Sequence, residues 1–185
     1  MKKLIITATL YTAITALILG VAYPLAVTAI SQLTMHDKAN GQLIEPNGEL
    51  IGSRLIGQPF TGAEYFHSRP SAAGLGYDAT ASGGSNLAQT NKALLDRENA
   101  SIAAENSGSP IPIDLVTASA SGIDPDITPA AAYYQVQRIA QARHISEDAL
   151  HQLVTSAIVP RQFGLLGEPR VNVLQLNLEL DHLNK

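Results

Sequence analysis

Ser82-Gly83-Gly84-Ser85-Asn86 is the stretch of this chain whose residue types come nearest to a ligand cradle. Small residues ahead of a helix let backbone amides approach an anion, because a helix start leaves N–H groups unpaired. No lysine completes a G-x-x-x-x-G-K-[ST] phosphate loop, and a glycine-rich turn with a Ser or Asn cap accounts equally for these residues. The five histidines, His36, His67, His144, His151 and His182, fall at no H-x-x-x-H or H-E-x-x-H spacing, so no zinc pattern is present. Nucleophilic catalysis fares no better: there is no G-x-S-x-G elbow and no S-x-x-K followed by K-T-G. Asp124 and Asp126, with Asp114 nearby, form an acidic loop that would attract cations, although aspartate also serves ordinary turns. Arg170, after the turn Gly167-Glu-Pro, is placed to pair with a carboxylate. These residues assemble no recognisable catalytic or metal site.

The elements that must carry them begin with a membrane anchor. Leu4 to Met35 is 32 residues without a formal charge, bounded by Lys2 and Lys3 before and by His36, Asp37 and Lys38 after. A hydrocarbon core of about 30 Å needs roughly 20 apolar residues. The run is about twice as long as a signal-peptide apolar region of roughly 7–15 residues, and no clean A-x-A site follows, so an uncleaved anchor is expected. Pro24 lacks an amide donor and frees the carbonyl of Gly20. Both a tolerated kink and a face shaped for a partner helix, with Gly20 and small neighbours allowing close approach, are open readings. Lys2 and Lys3 favour a cytoplasmic N-terminus, which puts the rest of the chain outside the cytoplasmic membrane. The expected division is an anchor over 1–35 and one extracytoplasmic domain over 36–185.

After the anchor stand sixteen acidic and ten basic residues, a net −6, with no basic patch, so nucleic acid is not an expected partner. Cysteine is absent, so the domain has no disulfides to rely on. Pro46-Asn47-Gly48 between apolar pairs predicts a hairpin over 42–60. The aperiodic stretch Phe60–Gly83 reads as a long functional loop rather than plain disorder, given Phe60, Tyr65, Phe66 and Tyr77. A helix is expected from Thr90 or Asn91 to Glu105, with Leu87, Leu94, Leu95 and Ile102 near one face and Gly108 ending it. A short strand is expected over Pro110–Ala118. Thr128-Pro129 and Ser146 each announce a helix by its cap. The alternation of Leu174, Leu176, Leu178 and Leu180 with polar residues predicts a final strand. The fold class that results is α+β, one domain on a stalk.

Several blocks, in order, resemble one family: the small C subunit of the Kdp-type high-affinity potassium-transporting ATPase. They are Gly20 with Tyr23-Pro24-Leu25, Gly57-Gln58 with Phe60, Tyr65-Phe66-His67-Ser68-Arg69-Pro70-Ser71, and Ala81 through Leu87. Asp114 through Gly122, Asp124, Pro129-Ala130-Ala131, Gln135 with Arg138, Ala142-Arg143, and Gly167-Glu-Pro-Arg-Val-Asn-Val173 with Leu176-Asn177-Leu178 and Asp181 complete the set. Lys92 and Val159-Pro160 depart from the family pattern at element edges. The resemblance implies a non-catalytic subunit of an inner-membrane complex. Its partners would be a channel-like potassium-binding subunit, a P-type ATP-hydrolysing subunit and a very small fourth subunit. The chain has no Asp-Lys-Thr-Gly-Thr motif, so hydrolysis would belong to the partner. The family is also described as a catalytic chaperone that raises the partner's ATP affinity, which implies nucleotide contacts at Ser82, Gly83, Gly84, Ser85, Asn86 and Gln135. Within such a complex a helix contact is expected at Gly20, Tyr23 and Pro24, on a helix that otherwise has nothing to bind, and partner or loop contacts at Phe66, His67 and Arg69. An extracytoplasmic domain sits badly with cytosolic ATP. A stand-alone anchored binding or sensing domain is the rival reading.

Overall fold

The computed structural model describes residues 1–105 and 108–183, apart from the side chain of Asn47. It divides into two compact units, Met1–Gly52 and Ser53–Lys185, each taken by itself.

The first unit is dominated by one continuous helix, Lys2–Thr34, whose most apolar window has a mean hydropathy of 2.1 and buries nothing within the protein. Its parts are α1 (Lys2–Leu17), a π-helical turn (Ile18–Ala22) and α2 (Tyr23–Thr34). The π turn is the local answer to Pro24. A proline cannot donate to the carbonyl four residues back and crowds it, and widening the preceding turn relieves that conflict. The Tyr23 N–H accordingly bonds to the Ile18 carbonyl, five residues back. The kink anticipated at Pro24 thus takes the form of a widened turn without ending the helix. After α2 comes a single turn, α3 (His36–Ala39), tied back by a reciprocal amide pair between Gln32 and Asn40 at 3.1 Å each way. The expected hairpin exists but is short: β1 (Leu43–Ile44) and β2 (Gly52–Ser53) flank a 3-10 turn at Pro46–Gly48. Gly48 has φ +80°, a conformation only glycine adopts freely.

Among the described residues, the second unit is built on a three-stranded antiparallel sheet and four α-helices. β3 (Asp126–Ile127) and β4 (Ile158–Val159) flank the central β5 (Arg170–Asn172). Ile127 and Ile158 both face Val171 across the ladder. α5 (Pro129–Arg143) starts as expected, with the Thr128 hydroxyl accepting the Ala131 N–H at 3.2 Å. α6 (Glu147–Ala157) starts at Ser146, whose hydroxyl accepts the Ala149 N–H at 3.3 Å, with two acids in the first turn where they suit the dipole. Val136, Ile139, Leu150, Val154 and Val171 meet in the core, which Phe66 completes from the irregular segment.

Three expectations need correction. The final strand is absent beyond Asn172: residues Val173–Leu183 form a helix, α7. Its buried residues, Val173, Leu174, Leu176, Asn177 and Leu180, follow a helical period, and Leu178 is only half-buried. Alternating leucine satisfies a period of two by eye. Yet leucine, glutamine and glutamate favour helix, and no β-branched residue follows Val173. The Asn172 side chain supplies the start signal by accepting the Gln175 N–H at 3.1 Å. The strand expected over Pro110–Ala118 is a 3-10 turn, Ile113–Leu115. Pro110 and Pro112 remove two ladder donors. The buried Asp114 carboxylate instead accepts the Thr128 N–H at 2.7 Å. Finally, α4 (Lys92–Glu105) forms where expected, with the Asn91 side chain accepting the Ala93 N–H at 2.9 Å, but it buries no apolar stripe. Leu95 and Ile102 are exposed, while Arg97, Glu98, Ser101 and Glu105 are half-buried. α4 is described to Glu105; residues 106–107 lie outside the described residues, and Gly108, expected to end the helix, has φ +82°.

Candidate functional site

The irregular segment between Gln58 and Tyr77 is held in place by side chains from α5 and α7. Two buried amides do the central part. The Phe66 N–H donates to Asn177 Oδ1 at 2.8 Å, and Asn177 Nδ2 donates to the Phe66 carbonyl at 3.0 Å. One residue on, the His67 N–H donates to Gln135 Oε1 at 2.7 Å, and Gln135 Nε2 returns a bond to the His67 carbonyl at 3.2 Å. Each amide imitates a strand partner for a segment that has none, which removes the cost of burying an unpaired backbone. Gln135 also donates to the Ala131 carbonyl at 3.2 Å and accepts from Arg138 Nη2 at 2.7 Å. A glutamine amide offers two donor hydrogens and two acceptor lone pairs, and here all four are used.

Two arginines finish the clamp. Arg138 Nη1 donates to the Ala63 carbonyl at 2.6 Å. Arg143 donates to the Glu64 carbonyl and to Asp181 Oδ1, both at 2.7 Å, with its guanidinium 4.7 Å from the Tyr65 ring centroid. Burial works against the Arg138 charge, and Glu105 and Glu64 offset it. His67 points one ring nitrogen at the Gly62 carbonyl (2.9 Å) and the other at Glu105 (3.5 Å).

That bond, ahead of the opposing effect of burial, holds the Glu105 carboxyl below its ordinary range, with the charges of His67 and Arg138 adding. A carboxyl whose folded value is depressed stabilises the fold above its unfolded value and stops doing so as pH falls through the folded one. Glu105→Gln is therefore expected to lower the thermal midpoint at pH 7, and the gap to wild type should close below about pH 4. Melting curves below about pH 5 check the sign, since His67 facing Glu105 is charged there; a gap that persists or widens below about pH 4 would refute the pairing.

The glycine-rich block lies elsewhere in the hydrogen-bond pattern. Ser82 Oγ and the Gly83 N–H both donate to the Ser121 carbonyl, at 3.0 and 2.8 Å. Gly84 lies against Ala120, and a Cβ on Gly122 (φ +66°) would come within 2.7 Å of the Gly83 carbonyl. Close backbone approach accounts for the glycines here. Asn86 adopts φ +52°, and α4 starts only at Lys92, so the block does not form a helix N-terminus. Ser82–Asn86 and Gln135 bond to different segments: the former to Ser119–Gly122, the latter to His67.

The acidic loop closes on itself. Arg69 pairs with Asp124 at 3.3 Å and Arg170 with Asp126 at 2.9 Å, as anticipated for Arg170. With Asp114, Thr128 and Glu168 they line a cavity of about 290 Å³. Burial raises the Asp126 pKa, against the opposing pull of Arg170. Among the described residues, no group of three His, Cys, Asp or Glu could hold a metal ion. Gly20, in the π turn, has open space where a Cβ would lie, and Tyr23 is exposed. Phe66 and His67 belong to the clamp and Arg69 to the acidic cavity.

Asn177, Arg138 and Arg143 were missed as clamp residues by sequence reasoning. A lone amide at a helical core position of α7 was the available signal for Asn177.

The fold defines a class: an α+β domain with a clamped irregular segment, on a chain that also carries a helix long and apolar enough to cross a membrane. Residues 5–182 match the family model described as KdpC, the c chain of the K+-transporting ATPase, and the chain belongs to that family. It is 60% identical over 179 residues to the potassium-transporting ATPase KdpC subunit of Acidobacterium capsulatum, covering 96% of this chain and 97% of the relative. The KdpC subunit of Koribacter versatilis is 57% identical over 184 residues (98% and 95%), and that of Burkholderia cenocepacia 52% over 187 (98% and 97%).

Proposed function

We propose that this chain is the anchored, non-catalytic subunit of an ATP-driven potassium-uptake complex, and that it stabilises the assembly from outside the cytoplasmic membrane. Its partners on this reading are a channel-like potassium-binding subunit, a P-type ATP-hydrolysing subunit and a very small fourth subunit. The helix Lys2–Thr34 anchors it, with Gly20, Tyr23 and Pro24 facing a partner helix and the partly exposed His67 and Arg69 serving the partner side, while Phe66, 0% exposed, holds their segment from the core. A domain that covers the outer mouth of the channel-like subunit and carries net negative charge also raises local potassium slightly. Screening over about 8 Å keeps that gain small.

The observation that carries this reading is Gln135. The family-implied alternative, in which the subunit raises its partner's affinity for ATP through Ser82–Asn86 and Gln135, needs a free polar group there. All four hydrogen-bonding positions of Gln135 are spent inside the protein. Support for the outside placement comes from Lys2 and Lys3 ahead of the apolar run.

One experiment addresses both placement and partnership. Asn99 is exposed on α4, and the chain has no cysteine of its own. Asn99→Cys is expected to react with an impermeant maleimide in intact spheroplasts, and the labelled chain to co-purify with a large membrane subunit. Labelling only after lysis would move the domain to the cytoplasm and revive the nucleotide role. A labelled chain that elutes alone would favour an independent sensing domain.

A further inference from the structure

The connection between β4 and β5 carries an apolar tip that the domain does not use. Phe163 is 84% exposed, Leu165 80% and Leu166 60%. The tip is nevertheless built rigidly. Gln162 and Leu166 exchange N–H···O bonds at 2.9 Å in both directions, and the Gly164 N–H donates to the Arg161 carbonyl at 3.0 Å. Phe163 takes φ +55°, rare for a bulky residue, without gaining burial in return. Its base is closed by Arg161–Glu168 at 2.6 Å, and it extends directly from the core sheet.

We infer that this tip is a preformed plug that inserts into an apolar socket on another subunit of the same transporter; the inference rests on the function proposed above. Three properties select that occupant. A bilayer surface would call for free cations beside the apolar residues. Here Arg161 is spent on Glu168 and Arg170 on Asp126, and the residues after the anchor carry net −6. A second copy of this chain would need about 800 Å² per partner, while three such side chains supply roughly 500 Å² at most. A small rigid aromatic anchor suits a partner that the membrane helix already holds close, because tethering supplies the effective concentration that the small area lacks.

A photo-crosslinking phenylalanine analogue at position 163, in the full chain co-expressed with the complete transporter, is expected to crosslink to one of the other subunits. Leu165→Ser with Leu166→Ser is expected to lower recovered complex at least ~5-fold, the scale of losing one anchor contact. The melting curve of the variant chain in detergent should match wild type, since neither side chain is buried. Crosslinks to lipid alone, to a second copy of this chain, or to nothing, in a complex that co-purifies normally, would overturn the plug. An undiminished yield of the double variant would do the same. Failure of the wild-type chain to co-purify with any transport subunit instead overturns the proposed function, and the plug with it.

Discussion

Phe66→Ala is expected to destabilise the Ser53–Lys185 unit by about 3–5 kcal/mol, the range for emptying a fully buried aromatic site. Phe66 is 0% exposed, and it is the one large core residue that comes from the irregular segment, flanked by Tyr65 and the clamped His67. Its backbone is held on both sides by Asn177, so the segment cannot easily shift to fill the space left behind. At a few degrees per kcal/mol for a domain of this size, the melting midpoint should fall by roughly 10–20 °C. Near-UV circular dichroism of the full chain in detergent measures this. A loss below about 1 kcal/mol would mean the segment collapses into the cavity and the clamp is not rigid. Phe66→Leu, which retains most of the apolar volume, should recover a large part of the difference.

Gln135→Leu tests the clamp and the nucleotide reading together. The substitution removes the polar atoms and shortens the side chain by one atom while keeping it apolar and branched. The His67 N–H and carbonyl and one Arg138 donor then lose their partner. At about 1–3 kcal/mol for each buried group left unsatisfied, the two His67 groups set an expected loss of roughly 2–6 kcal/mol, the half-buried Arg138 donor being able to turn to water. Gln135→Glu should fall between, since a carboxylate still accepts from His67 and Arg138 but presents no donor to the His67 carbonyl. By contrast, Arg143–Asp181 is a weaker lever, because the Asp181 side chain is 43% exposed and solvent competes for it. In the assembled transporter, the half-saturating ATP concentration should stay unchanged in both Gln135 variants while complex yield or thermal stability falls. A raised ATP requirement in a complex of normal yield would reverse the functional conclusion.

Part of the site was legible before the fold. Gln135, Phe66, His67 and Arg69 were singled out through resemblance, yet what joins them was not. Asn177 read as the wet face of a strand, and Arg138 and Arg143 stood as members of the resembling blocks. The acidic loop and Arg170 were seen as neighbours in sequence, while the pairing of Arg69 with Asp124 was not. In each case the missing information was a contact between distant residues. Gln135 and His67 are 68 positions apart, and Asn177 and Phe66 are 111 apart.

The amino-acid sequence by itself determined the apolar helix, the caps at Thr128 and Ser146, the hairpin turn and membership of the α+β class. These rest on interactions within a turn or two, or on a length set against a bilayer, so no distant partner is needed to express them. Tertiary structure alone decided between strand and helix for Val173–Leu183, because alternating leucines fit both periods until the core shows which faces are buried. It also decided that Leu95 and Ile102 stay exposed and that two buried amides stand in for a missing strand. Such choices depend on which polar backbone must be satisfied where the chain meets itself, and only the closed fold brings those groups within hydrogen-bonding distance.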